Sequence, residues 1–206
     1  MVGRWRDGRR ERSSAPRRRL LFLTVLLASL ALHASASVAL AGCAGGDVVP
    51  TSSRALVRAV FCEVNSMRAA HELRSLRRSG RLSRAAGRHA RDMLRRRYFA
   101  HRSPEGTSVL RRVRRAGYGA DGQAVVAGEL IGLGFAGVPW PLTPVRLVWK
   151  WLASPSHRRV LVSRHFRELG IGTVFFRWGP VEAFVVVADF GRRGRAPARL
   201  AGHKPR

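Results

Sequence analysis

The sequence predicts an α+β domain in which helices flank an antiparallel sheet. Three observations lead there. The chain has 206 residues and is 46% hydrophobic, enough for one domain of ordinary size with terminal extensions. Helical periodicity dominates the stretch after residue 55, and two β-rich runs close the chain as a hairpin. Helices first and a hairpin last fit α+β or a three-layer sandwich.

Taken in order, residues 43–53 read as a linker of small residues, with Ser52 and Ser53 available as helix caps. From Ala55 the period becomes helical: Leu56, Val60, Val64 and Met67 share a stripe that Val57 and Phe61 widen. Cys62 lies off that stripe, and Gly80 breaks the pattern. A second helix is expected over about 82–97. Leu82, Ala86, His89, Ala90 and Met93 form its apolar face, and Arg84, Arg88, Arg91, Arg95 and Arg96 its other faces. Ser103-Pro104-Glu105-Gly106 turns the chain, and a short helix over about 107–115 ends at Gly117. Seven glycines between 117 and 138 suggest loops with a short strand around Val125–Ile131. Thr143-Pro144 opens another helix, with Thr as cap and Pro in the first turn, and Ser154-Pro155 stops it. Leu169–Phe176 and Val181–Phe190 are the hairpin strands, joined by Arg177-Trp178-Gly179-Pro180. Residues 192–206 are expected to be a disordered basic tail.

The first 42 residues read as an export signal or an N-terminal anchor. Eight arginines precede an uncharged run from Leu20 to Gly42, the order of a secretory signal. Ala39-Leu40-Ala41 is an A-x-A cleavage site, and Leu40-Ala41-Gly42-Cys43 also matches a lipobox. Cys43 is therefore either acylated, making the chain a lipoprotein, or free to pair with Cys62, since disulfides persist outside the cytoplasm. The expected location is secreted or associated with the cell envelope.

Net charge is +27, and 37 of the 39 basic residues are Arg. That bias fits a GC-rich genome choosing Arg codons. Without residues 1–42 the charge is still +21. Basic residues spread over several helix faces without interleaved aromatics, which argues against nucleic acid as a partner. An anionic lipid or envelope polymer uses the same charge better, through the anchor or the basic surface. Two cysteines exclude a four-cysteine zinc module. There is no G-x-S-x-G, no Ser-x-x-Lys, no phosphate loop and no dinucleotide fingerprint. Cys62 precedes Glu63, whose charge would raise a thiol pKa and make it a poor nucleophile.

Several local patterns follow one another in a fixed series: Val64-Asn65 with Arg68, Asp92-Met93, Tyr98-Phe99-Ala100-His101 with Ser103-Pro104, Arg115-Ala116-Gly117-Tyr118, Gly128-Glu129, Trp151 with Ser154-Pro155-Ser156-His157-Arg158, Phe166-Arg167-Glu168-Leu169-Gly170-Ile171-Gly172, and Ala188-Asp189-Phe190. This series resembles the bacterial branch of the cysteine-rich secretory, antigen 5 and pathogenesis-related 1 superfamily, the CAP or SCP domain, over residues 54–191. The resemblance implies a three-layer α-β-α sandwich with a central antiparallel sheet. It also implies a cleft of two His and two Glu that holds a divalent metal in many members. His101 matches the first His, Glu129 the first Glu and His157 the second His. The second Glu has no counterpart, because Trp151-Leu152-Ala153-Ser154 carries no acid. The resemblance further favours pairing of Cys43 with Cys62.

Two imidazoles and one carboxylate are a sufficient donor set for zinc with an open position for water. The alternative is that His101, Glu129 and His157 hydrogen-bond one another and tie three loops together. His89 reads as a satisfied core histidine. Glu168, at a strand start, reads as a ligand-side or loop-fixing carboxylate, held by backbone hydrogen bonds. The function expected is a monomeric, exported, non-enzymatic module binding a lipid or envelope ligand. The alternative is a metal-dependent hydrolase acting on peptide or envelope substrates. The enzyme question leans towards no.

Overall fold

A polar cap opens nearly every helix. In the computed structural model, which describes residues 42–120 and 122–194, the first helix α1 spans Ser53–Ala70, and the Ser52 side chain accepts from the Ala55 N–H. Strand β1 is Arg77–Arg78, and helix α2, Gly80–Arg96, is capped by Ser79. Helix α3, Val109–Arg115, is capped by Ser108. Strand β2 follows as Ala124–Phe135, then α4, Pro144–Ala153, capped by Thr143. Helix α5 is Pro155–Leu161, and the chain closes with β3, Glu168–Trp178, and β4, Val181–Gly194.

The four strands form one sheet in the order β1-β3-β4-β2. The β2–β4 and β3–β4 pairs are antiparallel, as expected, while the two-residue β1 runs parallel to β3. Alternation along β4 sends Phe184, Val186, Ala188 and Phe190 to a core shared with Leu56, Val60 and Val64 of α1 and Val148 and Trp151 of α4. Val185 and Val187 face the other way, against Ala86, Ala90 and Met93 of α2. Two apolar faces covered by helices make the three-layer sandwich.

Two glycines fix how closely α2 lies on the sheet. A Cβ at Gly170 would sit 2.1 Å from the Ser83 nitrogen, and one at Gly172 2.0 Å from the Gly87 nitrogen. The Gly170-Ile171-Gly172 run thus allows helix backbone to rest on strand backbone. On the opposite side Arg68 is 1% exposed and donates to the carbonyls of Arg74, Leu161 and Ser163. It satisfies loop carbonyls that would otherwise be buried without donors.

Three expectations change. Ser154-Pro155 stops α4 as expected, but Pro155 also starts an unexpected further helix, α5, because proline suits a first turn as well as it breaks an interior. Strand β2 is longer than the segment around Val125–Ile131. Strand β4 runs to Gly194, so Arg192 and Arg193 pair with Val126 and Val125 rather than opening a disordered tail. The proposed signal or anchor and the tail beyond 194 lie outside the described residues. Among the described residues, no helix is long and apolar enough to cross a membrane.

Cys43 and Cys62 form a disulfide across a sequence separation of 19. A bridged Cys43 has no thiol left to acylate. The bond pins residues 43–53 to α1, and Val145 N–H donates to the Gly46 carbonyl, so this stretch is a docked loop rather than a free linker. Reduction, or Cys62→Ser, is expected to lower stability by ~3 kcal/mol in the chain-entropy picture. Urea unfolding of oxidised and reduced protein checks this, and intact mass should rise by two hydrogens on reduction.

Candidate functional site

Glu129 is where the three layers meet one polar group. It sits in β2 directly opposite Asp189 of β4, on the sheet face that α2 covers. Its side chain is 2% exposed. A carboxylate that deeply buried needs donors on both oxygens, and it has them. His101 Nδ1–H donates to Oε1 at 2.9 Å, and Arg112 Nη2 donates to Oε2 at 2.5 Å. His89 Nε2 lies 3.8 Å from Oε1.

Each donor is positioned by local structure. Arg97 takes the left-handed conformation and ends α2, which turns Tyr98–His101 back along the helix. His89 Nε2 then reaches the Ala100 carbonyl at 3.0 Å. A carbonyl only accepts, so Nε2 carries the proton. Tyr98 donates to Asp92 at 2.6 Å and closes the same turn. Arg112 extends from α3, and its Nη1 donates to the carbonyls of His101 at 3.0 Å and Thr107 at 2.8 Å. One guanidinium therefore holds both the Glu129 carboxylate and the backbone that carries His101. His157 comes from α5, its ring centroid 6.3 Å from that of His101.

His101, Glu129 and His157 line one cleft of about 380 Å³, with Ser108, Ser156 and Val160. The three residues singled out in the sequence are thus brought together. Glu168 is not. It accepts from Tyr118 Oη at 2.5 Å and from Arg193 at 3.0 and 3.1 Å. Its partners are side chains rather than the backbone donors expected, and its role is to tie β3 to the end of β4. His89 is core, as expected, but also borders Glu129. Arg112 was not legible, being one arginine among 37. Asp189 lies in the Ala188-Asp189-Phe190 motif, which gives no sign of its burial.

The electrostatics separate two carboxyls. Burial pushes Glu129 up, but the His101 hydrogen bond and the Arg112 charge outweigh it and hold it below the ordinary value. Asp189 is wholly buried, and neither of its oxygens has a hydrogen-bond partner among the described residues. Burial first, and the Glu129 charge second, push it well above the ordinary value. Burial also lowers His89 and His157, so both favour the neutral form.

These residues do not fit the metal site that the resemblance implies. Both Glu129 oxygens are engaged, one by a fixed cation whose charge opposes a divalent ion. Among the described residues no group of three or more His, Cys, Asp or Glu is placed to hold a metal.

The comparison with known families decides what this arrangement belongs to. The profile of the cysteine-rich secretory protein family, CAP, matches residues 61–190, more than half of the chain. The chain belongs to this family. Among solved structures, the CAP domain is similar to an extracellular protein containing an SCP domain from Bacillus anthracis str. Ames, with TM-score 0.54 and 25% identity, covering 67% of this chain. The match spans only 40% of that Bacillus protein. An outer surface protein of Borrelia burgdorferi shares the fold with TM-score 0.53 and 22% identity, covering 68% of this chain and 93% of its own. Curated protein sequences give no significant match.

Two outcomes follow from the buried charges. Arg112→Ala leaves Glu129 buried with its main counter-charge removed, and is expected to cost about 3–5 kcal/mol in urea unfolding. A loss under ~1 kcal/mol, the size of an exposed pair, would contradict this. Asp189 has a raised folded pKa, so its stability contribution falls as pH climbs above the unfolded carboxylate value. Asparagine cannot ionise. Asp189→Asn is therefore expected to raise the melting temperature relative to wild type more at about pH 8 than at about pH 5. An equal difference at both would contradict the assignment.

Proposed function

We propose that this chain is an exported, non-enzymatic CAP module that binds an envelope ligand in the His101–His157 cleft. The observation that supports the reading is the full engagement of Glu129. With one oxygen on His101 and the other on Arg112, and held below the ordinary carboxylate value by both, it is a weak general base. What lines the cleft beside Glu129 is a pair of imidazoles with Arg102, Ser108, Val109, Ser156 and Val160. Such a set offers donors, acceptors, a cation and a small apolar wall, which suits a polar headgroup of a lipid or polymer. Export is supported by the signal-like N-terminus, by the Cys43–Cys62 bridge and by relatives described as extracellular or outer-surface proteins.

Mass spectrometry of non-protein material co-purifying from the native envelope tests the reading. A bound ligand is expected on the wild-type protein and lost in His101→Ala/His157→Ala, with the fold retained by circular dichroism. Stoichiometric zinc after dialysis, together with peptide or envelope-polymer hydrolysis that the same double variant abolishes, would establish the hydrolase instead.

A further inference from the structure

A second cleft lies on the other side of the Arg112–Glu129 pair, between α2, α3 and the 103–107 turn. It has a volume of about 700 Å³. Six arginines line it: Arg88, Arg91, Arg95 and Arg96 from α2, and Arg112 and Arg115 from α3. Arg88, Arg91 and Arg95 are spaced three and four residues apart, and Arg112 and Arg115 three apart. Each helix thus presents a row of guanidinium groups, and the two rows border the same cleft.

The carboxylates present do not neutralise these rows. Asp92 and Glu105 are the two acids lining the cleft, and they are taken up by Arg95 and Arg96. Arg112 is spent on Glu129 and two carbonyls. Its buried Nε has no partner among the described residues. Among the described residues, the exposed side chains of Arg88, Arg91 and Arg115 make no hydrogen bond or ion pair. The remaining titratable wall group, His89, is kept towards its neutral form by burial.

We infer that this cleft is an anion site for a ligand carrying two adjacent phosphate groups. Counting Glu129, six guanidiniums against three carboxylates leave an excess of three positive charges, which a diphosphate matches and a single carboxylate does not. The planar fork of Arg pairs with phosphate oxygens through two parallel hydrogen bonds. Ser103 and Thr107 add hydroxyls at the rim. The site is separate from the His101–His157 cleft and does not depend on what binds there.

Isothermal titration of the purified protein with inorganic pyrophosphate tests this, with sulfate at matched ionic strength as a control. Saturable one-to-one binding is expected, stronger than for sulfate. Arg88→Gln/Arg91→Gln/Arg115→Gln should weaken it by about tenfold or more. Arg54→Gln/Arg146→Gln/Arg164→Gln removes the same charge elsewhere and should change it by less than about twofold. Equal weakening by both triple variants would reduce the effect to net charge and overturn the site. So would the absence of saturation. Binding to phosphatidic acid vesicles without binding to pyrophosphate would also overturn it, in favour of a membrane surface.

Discussion

A carboxylate buried between a sheet and a helix must be held, and in this protein that requirement organises the polar half of the fold. Glu129 is 2% exposed and faces a second carboxyl, Asp189, on the next strand. Like charges directly opposite in a sheet are unfavourable. The conflict is resolved by giving every donor to one of them. Arg112 and His101 take Glu129, and Asp189 is left without a partner in the form that burial favours. The same guanidinium also fastens the His101 and Thr107 carbonyls. The loop that carries His101 is thereby tied to the strand beneath it and to the short helix beside it.

This clasp also changes the chemistry of the cleft. In the arrangement implied by the family resemblance, an acid and two imidazoles would surround a cation. Here a cation is already present as Arg112, and the acid is satisfied by it. The second acid is missing from Trp151-Leu152-Ala153-Ser154, and Trp151 instead packs in the core and donates its indole N–H to the Ile131 carbonyl at 3.0 Å. What remains accessible are the two imidazoles. It is on this ground that we propose binding, rather than activation of water, as the role of the cleft.

Much of this was legible in the sequence where patterns were local. The stripe Leu82, Ala86, His89, Ala90, Met93 is the buried face of α2, because helical period and burial follow from the same geometry. His101, Glu129 and His157 were found through the ordered series of motifs, since no spacing rule links residues 28 apart. Arg112 was hidden by composition: one arginine among many gives no signal until α3 is folded onto β2. Asp189 was hidden by alternation, because an acid on the covered face of an apolar strand looks like a residue on its open face. Helix α5 was missed because Ser-Pro is both a stop and a start, and β1 because two residues carry no period.

Of the two facing carboxyls, Glu129 carries the charge and Asp189 the proton. Carbon-detected magnetic resonance of the two side-chain carboxyl carbons, followed through a pH titration, measures this directly. Glu129 is expected to titrate below the ordinary carboxylate range and Asp189 well above it. An Asp189 that ionises with ordinary carboxylates, or a Glu129 that holds its proton to neutral pH, would contradict it.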